Sequence, residues 1–201
     1  MQLLWWFGIH GPNVMSAVTT PFMTKMMATN LELYQAGEGV TSAGVFYSAG
    51  SQYNIISGPF GAGWFSPTGS GITMGLIIAV MLFSKRDDFK AIAKLAIPCG
   101  IFNINEPIIF GIPMVMNPMF AVPFFLAPIA CVCCGYLVQS LGLCPLFVID
   151  VPWTTPVGLF GFLASSGNIM GAIWQVVIIV GVSTLIYTPF VIAANRQETA
   201  A

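Results

Sequence analysis

Residues 169–194 form one long apolar run, rich in valine and isoleucine, that ends at Asn195 and Arg196. A run of this length without a charged side chain is long enough to cross a bilayer as a helix. The whole chain agrees with that setting, since 57% of its 201 residues are hydrophobic and only 6% are charged. Soluble domains carry roughly 25% charged residues. The sequence therefore predicts an all-α integral membrane protein with a transporter-like architecture.

Two further spans are predicted, at residues 71–83 and 118–141. Residues 84–94, which follow the first of them, hold four of the six basic residues of the chain. The positive-inside rule places this segment in the cytoplasm as a loop, so the preceding span runs inward. Residues 30–67 are weakly hydrophobic and are interpreted as a connecting loop or partly buried re-entrant structure. At about 20 residues per crossing, the length allows about six or seven membrane-crossing elements.

Prolines interrupt two of the apolar segments. Residues 95–115 contain Pro98, Pro107 and Pro113, and prolines at these positions disfavour a continuous helix. A broken helix or a re-entrant hairpin fits better, and residues 151–164 form a second candidate hairpin. Interruptions of this kind at membrane depth are tolerated where they are packed in protein or line a polar cavity, and in transporters they mark the substrate site.

Glu106 lies in the middle of the first of these segments. A carboxylate at membrane depth is costly unless it faces a cavity, a partner or a polar ligand, which makes it a candidate functional group. An ion pair is the structural alternative, but no basic residue occurs between Lys94 and Arg196. We therefore predict that a neutral polar ligand or a proton satisfies Glu106, unless a distant helix supplies a cation.

Five other residues are candidate ligands, each with a structural alternative. His10 either binds a ligand or is an interfacial histidine bonded to a backbone carbonyl. Trp153, between two prolines, either presents its indole face to the C–H face of a sugar or anchors the chain at headgroup level. Asn103 and Asn105 either shape the site or satisfy backbone groups freed by the nearby proline. Trp5 is grouped with His10 because the two are close in sequence.

Several function classes are disfavoured. Cys131, Cys133 and Cys134 lie in an apolar run without a nearby histidine or carboxylate, so we interpret them as packing residues rather than metal ligands or a redox site. The net charge of −1 provides no basic face for nucleic acid. Asp150 is interpreted as a loop acid at the water interface. The sequence predicts no metal site and no cofactor.

Several separated motifs, in the same order, resemble one family. Residues 100–113, with the core Asn103-Ile104-Asn105-Glu106-Pro107, closely resemble the signature of the membrane-embedded IIC component of the bacterial sugar phosphotransferase system, lactose/cellobiose/diacetylchitobiose family. The other segments that match this pattern are Gly8-Ile9-His10-Gly11, Gly69-Ser70-Gly71, Asn117-Pro118 and residues 151–156.

The resemblance implies that a sugar enters from outside, is occluded, moves inward by a rigid-body shift and is phosphorylated at its C6 hydroxyl. It implies that Glu106 bonds the sugar hydroxyls and acts as the base, with hydrogen-bond reach to the proton it removes. His10 would bond another hydroxyl, Asn103 and Asn105 would shape the broken-helix site, and Trp153 would stack on a ring.

The resemblance also implies partners and a location. The phosphoryl donor would be a phosphocysteine on a cytoplasmic IIB partner, supplied in turn by IIA, and none of the cysteines here matches it. The location would be the bacterial plasma membrane, with multiple passes. Family members are longer, so residues 1–201 are expected to be the substrate-binding half, with the N-terminal scaffold half, through which a homodimer would form, absent.

Two other functions remain open from the sequence. In an ion-coupled sugar symporter, Glu106 would carry the coupling proton. In a truncated, noncatalytic membrane subunit, no sugar would bind. The identity of the sugar is also open, because cellobiose, diacetylchitobiose, lactose and other β-linked disaccharides differ only in hydroxyl orientation or an acetamido group.

Overall fold

The structure, a computed structural model, describes residues 1–198, and most of them are helical. The α-helices are α1 Gln2–Trp6, α2 Gly11–Gln35, α3 Gly58–Phe60, α4 Met74–Phe83, α5 Asp87–Ile101, α6 Glu106–Gly111, α7 Pro118–Ser140, α8 Leu159–Ala164, α9 Ile169–Val176 and α10 Ser183–Glu198. Two π-helical turns follow α3 and α9, at Gly61–Phe65 and Val177–Val182. A short antiparallel hairpin pairs β1 Val40–Thr41 with β2 Gly44–Val45.

Two helical stretches of the described residues are long and apolar enough to cross a membrane, Pro118–Ser140 and Ile169–Arg196. They confirm the helices predicted at residues 118–141 and 169–194. Each begins at an asparagine cap: the Asn117 side chain accepts from the Met119 N–H at 3.0 Å, and Asn168 accepts from the Met170 N–H at 2.7 Å. Such caps satisfy amide groups that have no partner within the helix.

The helix predicted at residues 71–83 is shorter in the structure, since α4 begins at Met74. The preceding turn has left-handed backbone at Gly69, Gly71 and Ile72, which no α-helix can accommodate. The predicted loop at residues 84–94 is largely helical, because α5 begins at Asp87. Two acidic residues in its first turn favour that start, since they complement the positive end of the helix dipole.

The largest element that the sequence analysis missed is α2. It starts with a glycine and a proline, a pair more typical of a turn, yet the structure places Pro12 in the first turn of a 25-residue helix. Proline is tolerated there because the first amide groups of a helix lack internal partners anyway. Residues 30–67 were predicted to be a connecting loop or partly buried re-entrant structure. In the structure α2 continues to Gln35, and the rest of the segment contains the hairpin, α3 and the first π-helical turn.

The hydrophobic core consists of two clusters. The first is formed by α4, α5, α6, the first half of α7 and α10, and it includes the fully buried Leu76, Ile108 and Tyr187. The second surrounds Trp64, whose ring stacks on Phe147 at 5.2 Å between centroids. Of the three clustered cysteines that were predicted to be packing residues, Cys131 is buried in this second cluster. Cys133, in contrast, is exposed.

Candidate sugar-binding site

One cavity of about 700 Å³ is lined by all six residues that the sequence analysis selected. They come from three separate segments: α1 with the junction to α2, the break between α5 and α6, and the loop before α8. The turn before α4 forms a further part of the wall. These six residues are Trp5, His10, Asn103, Asn105, Glu106 and Trp153. The volume lies within the usual range for small-molecule sites, about 300–1,000 Å³. Asp150 is exposed and does not line this cavity.

Glu106 is the first residue of α6, directly after the break that follows Ile101. Its side chain is 44% exposed, and its Oε1 lies 3.9 Å from His10 Nε2. That distance is too long for a direct hydrogen bond. Within residues 1–198, no lysine or arginine forms a salt bridge with Glu106. The carboxylate therefore has no lysine or arginine side chain paired with it among the described residues, and its oxygens can accept hydrogen bonds from a ligand.

His10 caps the N-terminus of α2 with its ring. The Nδ1 atom accepts a hydrogen bond from the Asn13 N–H at 3.3 Å, so the neutral ring carries its proton on Nε2. This Nε2 lies 3.9 Å from the Oε1 of Glu106. The ring of Trp5 packs against the His10 ring, with the two centroids 4.8 Å apart. A proton donor and a carboxylate acceptor thus face one cavity together.

The two asparagines of the break are nearly buried and are bonded to other segments of the cavity wall. Asn103 has left-handed backbone, φ +66°, which asparagine tolerates better than most residues. Its Oδ1 accepts from the Thr68 N–H at 2.6 Å. The Asn105 Nδ2 donates to the Ser70 carbonyl at 2.6 Å. These bonds attach the break to the turn that precedes α4.

The two tryptophans have different environments. Trp153 is 63% exposed at the rim of the cavity, so its ring is free to stack on a ligand. Trp5 is 4% exposed and packs against both His10 and Phe110. The Trp5 ring therefore packs against the imidazole of His10 and has little surface left for contact with a ligand.

Four polar lining residues were not selected from the sequence. They are Asn13, Ser16, Ser66 and Ser70. Asn13 and Ser16 follow His10 by three and six positions, so the helical period would have grouped them if α2 had been recognised. Ser70 lies in the Gly69-Ser70-Gly71 segment that resembles the family pattern, whereas Ser66 carries no signal in the sequence, because its place in the cavity depends on the turn before α4.

An apolar helical chain with a polar cavity at a helix break has the architecture of a membrane transporter. The family described as "Phosphotransferase system, EIIC" matches residues 1–128. The chain belongs to this family of sugar phosphotransferase permeases.

Named relatives agree. The oligo-beta-mannoside-specific EIIC component of Bacillus subtilis is 35% identical over all of this chain and 42% of that protein. The cellobiose-specific EIIC component of Lactococcus lactis is 36% identical over 98% of this chain and 42% of that protein. The crystal structure of the transporter ChbC, the IIC component from the N,N'-diacetylchitobiose-specific phosphotransferase system, superposes with a TM-score of 0.87 at 34% identity, over 99% of this chain and 43% of that one. The chain thus spans about two fifths of these relatives.

Proposed function

We propose that this chain binds and translocates a β-linked disaccharide as the membrane permease component of a phosphoenolpyruvate-dependent sugar phosphotransferase system. One observation carries the proposal: a carboxylate without a cationic partner among the described residues shares a cavity with an imidazole, amides, hydroxyls and an exposed indole. Neutral sugars present hydroxyl donors and acceptors together with apolar C–H faces, which matches that set of groups.

The relatives support the class of sugar. Their names specify oligo-β-mannoside, cellobiose and lactose, and the solved transporter is specific for N,N'-diacetylchitobiose. The smaller members of this set are β-linked disaccharides. A cavity of about 700 Å³ has room for two sugar rings.

In the proposed mechanism Glu106 accepts hydrogen bonds from the sugar, including one from the hydroxyl that is to be phosphorylated. As the phosphoryl group moves from the cysteine sulfur of IIB to this oxygen, Glu106 takes the hydroxyl proton. The Nε2–H of His10 donates to a second sugar oxygen, and the Oδ1 of Asn105 accepts from a third group. Trp153 stacks on one ring at the rim. This chemistry needs no metal or cofactor on the chain.

The proposal includes an arrangement in the membrane. Residues 1–201 are the substrate-binding half of the permease, in a multi-pass protein of the bacterial plasma membrane that dimerises through its scaffold half. The helix pair α5–α6 and residues 151–164 form re-entrant hairpins that bring the site to membrane depth. Cytoplasmic IIB and IIA supply the phosphoryl group. The fusion of IIC and IIB in the lactose-specific EIICB relative of Staphylococcus aureus supports direct contact with IIB.

Calorimetry tests the binding step. The purified chain, in detergent or lipid nanodiscs, is titrated with cellobiose, lactose and N,N'-diacetylchitobiose. We expect saturable binding that Glu106→Gln abolishes. A carboxylate has two oxygens that accept hydrogen bonds from sugar hydroxyls, whereas the glutamine amide has one oxygen that accepts and an NH2 group that can only donate. Glu32→Gln is the matched control, because Glu32 is an exposed acid of α2 outside the cavity. Equal affinities for the wild type and Glu106→Gln would remove Glu106 from the site, and no binding of any sugar would favour a noncatalytic subunit.

Transport assays separate the phosphotransferase from a symporter. In membrane vesicles we expect sugar uptake to require IIA, IIB and phosphoenolpyruvate, and to release sugar phosphate inside. Uptake of unmodified sugar that depends on a proton or sodium gradient would contradict the proposal.

A further inference from the structure

Both N–H groups of the Asn103 side chain donate to backbone carbonyl oxygens. Its Nδ2 group donates to the carbonyl oxygens of Trp153 and of Thr155, the latter at 2.9 Å. Its Oδ1 accepts from the Thr68 N–H. A primary amide has two N–H donors, and both are occupied here. Asn103 therefore has no donor left for a sugar.

The three partners belong to two separate walls of the cavity. Thr68 lies in the turn before α4, whereas Trp153 and Thr155 lie in the loop before α8. The side chain of Asn103 connects both walls to the break that precedes Glu106. Its left-handed backbone and 7% exposure keep the amide at that junction.

Asn105 differs from Asn103 although both line the cavity. Its side chain makes one hydrogen bond within residues 1–198, from Nδ2 to the Ser70 carbonyl. Its amide is attached to the turn before α4 and has no bond to the loop that carries Trp153. The two asparagines of the motif therefore have different tasks.

We propose that Asn103 is a positioning residue that holds the Trp153 ring at a set distance from Glu106, and that it does not bind the sugar itself. Trp153 is otherwise exposed at the rim of the cavity, so the hydrogen bond from Asn103 to its backbone carbonyl fixes the position of the residue and of its ring. This inference rests on the proposed function.

A double-mutant cycle tests the inference on the 201-residue protein, with cellobiose and N,N'-diacetylchitobiose as calorimetric probes. Asn103→Asp keeps the Oδ1 acceptor and tolerates left-handed backbone, but it turns an oxygen toward two carbonyl oxygens. We expect an affinity loss of about tenfold in the wild-type background, on the scale of a lost stacking contact. In a Trp153→Ala background, Asn103→Asp is expected to lower the sugar affinity by no more than about a further twofold.

Asn105→Asp is the matched control. It is expected to lower affinity by the same factor in both backgrounds, since its amide does not touch the Trp153 loop. Equal losses for Asn103→Asp in both backgrounds would overturn the inference and make Asn103 a direct ligand. No loss in either background would overturn it too.

A second readout does not depend on sugar binding. With 5-fluorotryptophan incorporated, the ¹⁹F resonance of Trp153 is assigned from its disappearance in Trp153→Ala. We expect Asn103→Asp to shift and broaden this resonance in the sugar-free protein, and Asn105→Asp to leave it in place. An unchanged resonance in Asn103→Asp would overturn the inference. If the wild type binds neither sugar, the proposed function fails while this measurement still decides the role of Asn103.

Folding is checked by gel filtration and thermal unfolding. If Asn103→Asp fails to fold, Asn103→Gly replaces it, because glycine keeps the left-handed backbone and deletes the amide. The same cycle and the same ¹⁹F resonance then apply, with the same expected results.

Discussion

Glu106 is a carboxylate whose only ionisable partner among residues 1–198 is His10, at 3.9 Å. Without a sugar, the group contributes little to folding, because no close cation offsets its desolvation. We therefore expect Glu106→Gln to unfold at the same temperature as the wild type or higher, with a difference in unfolding free energy within about 1 kcal/mol. Thermal unfolding of the sugar-free protein in detergent measures it. A larger loss would mean that the carboxylate has a structural role.

His10 combines a helix cap and a cavity-facing donor in one ring. Asparagine is a good N-cap, so His10→Asn keeps the cap and removes the Nε2–H donor. We expect this variant to retain its stability but to bind sugar about 0.5–1.5 kcal/mol more weakly, the net contribution of one hydrogen bond. His10→Ala removes the cap as well and is expected to lose about 0.5–2 kcal/mol of stability.

Unfolding and sugar titrations of the two variants separate these roles. If His10→Asn binds sugar like the wild type, the imidazole is a cap only.

At the scale of elements, the turn before α4 forms one wall of the cavity. Gly69 has φ +82°, and a β-carbon there would collide with the Asn105 amide. Tyr187 supports the same turn from α10, donating from its hydroxyl to the Gly71 carbonyl at 2.8 Å. The turn is therefore held from both sides, and α4 begins only after it ends.

Substitution of one glycine tests how closely this turn is packed. We expect Gly69→Ala to lose about 1–3 kcal/mol of stability, because it combines backbone strain with a steric clash. Gly181→Ala is the matched control: its β-carbon would meet nothing within 4 Å, and the residue lies in a helical segment. It is expected to be neutral or to gain up to about 1 kcal/mol. Similar unfolding temperatures for the two variants would contradict the close packing.

At the scale of the whole molecule, the basic segment and the end of α10 lie together. Asn195 accepts from the Lys85 N–H at 2.8 Å and donates to the Phe83 carbonyl at 2.9 Å. The helical stretch Ile169–Arg196 has 28 residues, so its start lies about 42 Å away along the axis. That length exceeds the hydrocarbon thickness of about 30 Å. The two ends of this stretch are thus expected at opposite faces of the membrane.

Cysteine labelling tests this orientation. The five native cysteines are replaced, and single cysteines are introduced as Asp87→Cys and Ile169→Cys, both at exposed positions. By the positive-inside rule, an impermeant maleimide is expected to label Asp87→Cys only from the cytoplasmic side. Ile169→Cys is expected to react only from the other side. Labelling of both from one side would show that α9–α10 does not cross the membrane.

Local chemistry explains what was predictable from the sequence. Apolar length indicated the two long helices, and the proline-rich segment around Glu106 indicated the interruption that the structure has between Ile101 and Glu106. The absence of a basic residue near Glu106 in the sequence indicated an unpaired acid. In contrast, Pro98 lies inside α5 and Pro12 inside the first turn of α2, because the effect of a proline depends on its position within a helix.

The amino-acid sequence by itself determined the membrane setting, the family and the chemistry of the six candidate ligands, since these depend on composition and on short motifs. Only the tertiary structure decided which hydrogen bonds the side chains of these candidates make. The amide of Asn103 bonds Thr68, Trp153 and Thr155, which are 35, 50 and 52 positions away. Partners that are so far apart in sequence are brought together by the packing of whole elements, and no local sequence pattern encodes that packing.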